Sequence, residues 1–417
     1  MRHAGQLEFV IASGYEMTMS SHAQHRVAIA TLWDGVPDYA CAVLHFCQHA
    51  QRLADVFTKG LGVASADLLM MLTSDHMYEA KKKNCRCIRA GKKFCPECPG
   101  GALSADGALD GPTFARSVVK SDCPQMKLQV LDPKLREATR RYASNPAGGC
   151  RNKWQATCLY KWWVVSLVEY SLIILADLDV QLLRPEQPVH LVTERWRRTW
   201  HEAVPTDGSP RVLAEGDHWT PFNGGLWTLG NPSKALYDDG LVQLHDGVWN
   251  TTHGFAHAGT PVQWAERIPS LLNRMRHTHM YRKNTWNFAF GDCDQGFLFY
   301  MFYLNSPKGS IRVRPGTDFT PPVGGVECLP GDRSTGTDVD VRCPHTARHY
   351  WGPKKPWQLE MDNRGRVAHY LAHTNYSGRS GSMCAARFAT WASSGRLPKI
   401  DPLKPPGKFN GKLQRIR

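Results

Sequence analysis

The chain has 417 residues, 42% of them hydrophobic and 21% charged, with a formal net charge of +14. The first two values are those of globular proteins, so wholesale disorder is excluded and a sizeable core is expected. The positive balance favours anionic partners, from nucleic acid and phosphorylated ligands to acidic polysaccharides and membrane surfaces, without choosing among them.

Residues 1–25 are polar and rich in His, and read as a disordered leader. Val27 to Leu32 (VAIATL) predicts a short buried strand. Tyr39 to Phe57 carries apolar residues at helical spacing, and Asp67 to Thr73 predicts a second strand. Strand, helix and strand in this order make a βαβ unit with a parallel sheet. Residues 80–125 break the pattern with Lys, Gly, Pro and Cys, and read as an insertion. Lys127 to Leu131 predicts a strand, and Lys153 to Tyr170 an amphipathic helix crowded with Trp. Ser171 to Ala176 (SLIILA) is the clearest strand, a continuous apolar run of the kind a central parallel strand needs when both its faces are covered.

Phe222 to Leu229 predicts a further strand, residues 240–285 a second insertion rich in His, Thr and Trp, and Asp294 to Leu304 a helix. No internal repeat is visible. The expected organisation is one main domain over 26–360, followed by a C-terminal helix and basic tail over 361–417.

Two features carry chemistry. Asp177-x-Asp179 follows the SLIILA strand directly. In open α/β sheets ligands bind at the carboxyl ends of strands, and two carboxylates there can converge on one hard cation such as Mn²⁺ or Mg²⁺. Charges at the end of a buried strand need a partner. A bound divalent ion would stabilise the charge that grows on a diphosphate leaving group. The second feature is His349-x-x-Gly352-x-x-Lys355-Pro356-Trp357. Its His can join two carboxylates on a metal. Gly352 permits close backbone approach to a phosphate, and Lys355 supplies a point charge.

These motifs are similar to those of the glycogenin-like family 8 glycosyltransferases. In that family the H-x-x-G-x-x-K-P-W string closes over the UDP diphosphate and its His completes the manganese site; this chain matches it at every defined position. A Lys sixteen residues before the first Asp is also matched, by Lys161. Phe222-Asn223-Gly224-Gly225 resembles the family's F-N-S-G, which faces the sugar. Asp294-Gln295-Gly296 resembles its D-Q-G, near the anomeric centre and the sugar hydroxyls. Thr31-Leu32 and Tyr39 resemble the first strand and the Tyr that stacks on uracil. Two departures stand out: Gly224 replaces Ser, and Gly291, with Asp292 beside it, stands where many members have Asp.

The resemblance implies a GT-A-type fold: an α/β domain with a mostly parallel, Rossmann-like sheet and helices on both faces. It implies a retaining, Mn²⁺-dependent transfer of a hexosyl or pentosyl unit from a UDP-sugar to a glycan or glycoprotein acceptor. Asp177, Asp179 and His349 would hold the metal. Thr31, Leu32, Tyr39, Lys161, Asn223, Gly224, Gly225, Gly352 and Lys355 would bind the donor with the two metal carboxylates. Asp294, Gln295 and Lys161 would serve the chemistry. The rival readings are an inactive member binding UDP-sugar or glycan as a scaffold, and a zinc-containing nucleic-acid binder.

The chain has 13 Cys. Cys85, Cys87, Cys95 and Cys98 could bind Zn²⁺, form two disulfides or stay as thiols, and Cys328 and Cys343 could pair. No apolar run approaches the roughly 18–20 residues of a membrane-spanning helix. Asn250-Thr251-Thr252 and Asn375-Tyr376-Ser377 fit the glycosylation acceptor pattern. The compartment stays open between the Golgi or secretory lumen and the cytoplasm, as does assembly as a homodimer.

Overall fold

A computed structural model describes residues 24–33, 40–73, 111–145, 149–150, 153–183, 189–214, 220–263, 283–288, 290–305, 313–315, 348–349, 359–361 and 367–369. Its frame is a seven-stranded sheet. The strands in chain order are β1 (Arg26–Trp33), β2 (Ser65–Leu72), β3 (Met126–Gln129), β4 (Leu172–Ala176), β6 (Arg211–Ala214), β7 (Leu226–Gly230) and β10 (Val313–Pro315). Their spatial order is β10-β6-β7-β4-β1-β2-β3. All neighbouring pairs are parallel except those of β7, which runs against both β4 and β6. This is the mostly parallel α/β sheet with helices on both faces that the sequence predicts.

The helices that matter for the site are α1 (Ala40–Asp55), α2 (Gly111–Asp122), α3 (Pro133–Ser144), α4 (Val189–Ala203), α5 (Lys234–Asp246) and α6 (Asp294–Phe299). They cover two faces of the sheet. One core holds α1, α2 and α4 against the side chains of Val27, Ile29, Leu172 and Ile174. The other holds α3, α5 and α6 against Ala28, Ala30, Ile173 and Leu175. The alternation along β1 and β4 sends successive side chains to opposite cores. β4 is therefore apolar throughout, as the SLIILA run predicts, and β1 is apolar from Val27 to Ala30.

Sequence and structure differ in three places. Lys153 to Tyr170 is not an amphipathic helix. It forms a 3₁₀ helix over Lys153–Ser166, and the residues from Leu159 to Val165 are all buried. The insertion does not extend to residue 125. Its last part is α2, the crossover between parallel β2 and β3, whose Ala115, Val118 and Val119 enter the first core. Nor is 240–285 wholly an insertion. It begins inside α5 and includes a small antiparallel pair, β8 (Trp249–Asn250) and β9 (Gly254–Phe255), whose Trp249 and Phe255 lie in the second core. Near the end of the described residues β12 (Leu359–Met361) pairs antiparallel with β13 (Val367–His369), and the rest of the span expected to hold a C-terminal helix and basic tail lies outside the described residues. The clustered cysteines from Cys85 to Cys98, as well as Cys328 and Cys343, lie outside the described residues.

Among the described residues two disulfides that no sequence pattern announced lie one in each core. Cys47–Cys123 joins α1 to the end of α2 across 76 positions, and Cys150–Cys293 spans 143. Closing loops of this length stabilises a fold by roughly 4–5 kcal/mol each on the chain-entropy account. Among the described residues no helix is long and apolar enough to cross a membrane.

Candidate active site

β4 ends at Ala176, and the chain turns at once through Asp177, Leu178 and Asp179 into the two-residue strand β5 (Val180–Gln181). The reversed strand β7 starts where β4 stops, with Ala176 level with Leu226. The loop that enters β7, Phe222 to Gly225, therefore lies beside the Asp177 turn. The Asp177 amide donates to the Gly225 carbonyl at 2.7 Å, and the Gly225 amide donates to Asn223 Oδ1 at 2.8 Å. β1 is parallel to β4 with Ala30 level with Leu175, which brings Thr31 and Leu32 out at the same edge. Thr31 is fully buried.

The buried 3₁₀ helix delivers Lys161 to this edge. Its Nζ donates to Asp177 Oδ2 at 2.9 Å and to the Gly224 carbonyl at 2.9 Å, and stands 3.2 Å from Asp294 Oδ2. Burial opposes the charge on Lys161, but Asp177 and Asp294 together outweigh it and hold the amine protonated. Sixteen, sixty-three and 133 positions of chain separate Lys161 from Asp177, Gly224 and Asp294. One ammonium thus collects three of the five sequence blocks.

Asp294 and Gln295 open α6. Asp294 is 3% exposed, and among the described residues its Oδ1 has no hydrogen-bond partner; neither has the buried Gln295 Oε1. A buried acceptor left unpaired is costly, about 1–3 kcal/mol, so each needs a donor from outside the described residues.

Gly224 explains one departure from the family pattern. A Cβ there would stand 2.9 Å from Asp294 Oδ2, 3.3 Å from Gln295 Cγ and 3.6 Å from Lys161 Nζ. The bare backbone is what lets Lys161, Asp294 and the Gly224 carbonyl close on one another. Gly291 explains the other, because a Cβ there would be 2.6 Å from the Trp286 carbonyl. The neighbouring Asp292 is buried, and its carbonyl accepts from the Tyr142 hydroxyl at 2.8 Å.

Of the expected metal ligands, Asp177 and Asp179 lie in the one turn between β4 and β5. Among the described side chains no three His, Cys, Asp or Glu groups gather on one point. His349 enters through its backbone: β11 (Arg348–His349) pairs antiparallel with β5, with His349 opposite Val180. The residue after Asp179 is therefore the register partner of the expected third ligand. Tyr39, Gly352 and Lys355 lie outside the described residues.

The sequence reading passed over Cys293, although it sits inside the G-D-C-D-Q-G block and is bonded to Cys150. It also passed over two buried histidines on α1, His45 and His49, whose Nε2 atoms are 2.7 Å apart. Their spacing of four on an apolar helix was the available signal.

The structure is similar to that of the glycosyltransferase GlyE of Streptococcus pneumoniae TIGR4, at 10% sequence identity and TM-score 0.31, over 90% of this chain and 65% of that one. The apo form of GlyE gives 10% identity and TM-score 0.32, over 91% and 66%. The apo form of mouse xyloside xylosyltransferase 1 gives 11% and 0.31, over 78% and 97%. The chain thus spans slightly less than two thirds of the length of GlyE. No protein-family model and no curated protein sequence matches it. TM-scores of this size leave the functional reading to the side chains.

Proposed function

We propose that the chain is a retaining glycosyltransferase that moves a sugar from a UDP-sugar to a glycan or glycoprotein acceptor. The observation that carries this reading is the buried fork at the carboxyl edge: Lys161 bridging Asp177 and Asp294, beside the unpaired acceptors Asp294 Oδ1 and Gln295 Oε1. A sugar ring is dense in hydroxyl donors, and these two acceptors fit such a ligand. The carboxylate of Asp294 would also face positive charge developing at the anomeric carbon. Lys161 fixes that carboxylate beforehand, so that little reorganisation remains when the bond breaks.

Asp177, Asp179 and His349 would hold a Mn²⁺ or Mg²⁺ ion, which supplies positive charge for the diphosphate. Lys355 would add to it. Thr31, Leu32 and Tyr39 would flank the nucleotide, with Asn223, Gly224 and Gly225 toward the sugar.

Hydrolysis of a panel of UDP-sugars, measured with and without Mn²⁺, tests the proposal. Mn²⁺-dependent release of UDP from at least one donor is expected. Asp179→Ala should lower it by about 100-fold or more, as expected for loss of a group acting in the transition state, while the protein stays folded. An Asp179→Ala enzyme with full Mn²⁺-dependent turnover would overturn the metal assignment, and a wild-type protein that neither binds nor hydrolyses any UDP-sugar would overturn the whole reading.

A further inference from the structure

The residues on either side of Asp294 are held by groups remote from the fork. Cys293, directly before it, is fully buried and disulfide-bonded to Cys150. One residue earlier, the Asp292 carbonyl takes the Tyr142 hydroxyl at 2.8 Å. Just after it, Gly296 lies so close to Gly291 that a Cβ would stand 1.7 Å from the Gly291 carbonyl. Phe290, which begins this turn, has φ +56, a left-handed conformation that is unusual for a bulky residue.

The helix that carries Asp294 does not cap its own start. α6 runs on as a π turn over Tyr300–Leu304, but its N-cap Cys293 makes no side-chain capping bond. The amides that open a helix have no partner within it, so order at its first turn comes from outside. The strained turn before it persists only where surrounding structure fixes it. Asp294 Oδ2 is 3.2 Å from Lys161 Nζ, the longest of the three Lys161 contacts, so a small displacement of the turn breaks that contact first.

We infer that the Cys150–Cys293 disulfide is a positioning device for Asp294 and Gln295, seconded by Tyr142, and that sugar transfer requires it in the oxidised form. The inference rests on the role given to Asp294 in the proposed function. Opening the bridge needs a dithiol reductant. Two electrons and two protons pass to the protein, the S–S bond breaks, Cys150 and Cys293 become thiols, and the reductant leaves as its own disulfide. The other bridge makes an internal comparison. Cys47–Cys123 lies in the core on the opposite face of the sheet and adjoins none of the site residues.

The test uses the full chain as Cys150→Ala/Cys293→Ala, Tyr142→Phe and Cys47→Ala/Cys123→Ala. Two readouts are taken: kcat and KM for Mn²⁺-dependent UDP-sugar hydrolysis, and hydrogen exchange of the Gly296 and Phe297 amides. These amides donate to the Phe290 and Cys293 carbonyls. For the first variant kcat should fall about 10- to 100-fold with donor KM within about twofold, the scale of a misplaced reacting group. Exchange at both amides should quicken at least about tenfold, as expected for local opening. Tyr142→Phe should shift both in the same direction by less, and it carries the test if the double variant does not fold. Cys47→Ala/Cys123→Ala should lower stability and leave kcat within about twofold, a loss confined to the unfolding equilibrium. Unchanged kcat in the first variant, an equal fall in the comparison variant, or unchanged exchange would each overturn the inference. If the wild-type protein hydrolyses no UDP-sugar, the proposed function fails. The exchange readout then decides the positioning alone, faster exchange supporting it and unchanged exchange overturning it.

Discussion

Replacing Lys161 by Met keeps the buried stem and removes the charge that Asp177 and Asp294 share. Breaking a buried ion pair by deleting one partner costs about 3–5 kcal/mol, because a charge stays buried without compensation. The two carboxylates differ in how much of this they carry. The Asp294 side chain is 5% exposed and the Asp177 side chain 32%, so water screens Asp177 and most of the loss falls on Asp294. Lys161→Met is therefore expected to cost about 3 kcal/mol. Adding Asp294→Asn should restore about 2 kcal/mol of it, and adding Asp177→Asn less than about 1. Urea unfolding of the wild type, the single variants and the two doubles gives these values as a double-mutant cycle. A Lys161→Met loss below about 1 kcal/mol, or equal rescue by the two Asn changes, would refute the reasoning.

The histidine pair makes stability depend on pH. Burial pushes His49 down to about 4, and it pushes His45 well below its usual range, with the neighbouring His49 adding to the effect. In the unfolded chain both titrate near 6.5, so between about pH 6.5 and 4 the unfolded state binds protons that the folded state refuses. Stability should fall as pH falls through that window, by about 3 kcal/mol from His49 alone at 1.36 kcal/mol per unit. Urea midpoints from pH 7.5 to 4.5 would show the slope, His45→Gln/His49→Gln should flatten it, and a slope unchanged in that variant would speak against the pair. Gly224→Ser should press its Cβ on Asp294 Oδ2; a cost of about 1–3 kcal/mol and reduced turnover are expected, and wild-type turnover would mean that Asp294 has room to yield.

Much of the frame was legible because burial writes itself into composition. The LIILA run of β4 can only be a strand covered on both faces, and its end places Asp177 without further information. Lys161 was another matter. Its neighbours Trp162, Trp163, Val164 and Val165 are apolar on every side, so no periodicity singled it out, and only the spacing of the family motif did. The boundary at residue 125 was drawn on average composition. Ala115, Val118 and Val119, spaced as a helix stripe, were diluted by the Gly-, Lys- and Cys-rich residues before them. Trp249 and Phe255 were likewise read with the polar residues around them, although both are buried. The disulfides lay beyond reach because pairing depends on which helices the sheet brings together. Cys123 meets Cys47 only once β2 and β3 are parallel neighbours.

The reversal of β7 has a practical side. In an all-parallel sheet each strand offers only its outgoing loop to the carboxyl edge. By running backwards, β7 lends its incoming loop as well, and the chain from Gln181 to Phe222 becomes an excursion that leaves and returns at the same rim. Its far end is the turn at Asp207 and Gly208, which precedes β6 and so lies at the opposite rim of the sheet. Asp207 and Gly208 are both exposed there, and a Cβ on Gly208 would meet nothing within 4 Å. A fluorophore or affinity handle inserted at this turn would stand a full strand length from Lys161, so the protein could be immobilised or tracked with its reactive edge facing away from the attachment.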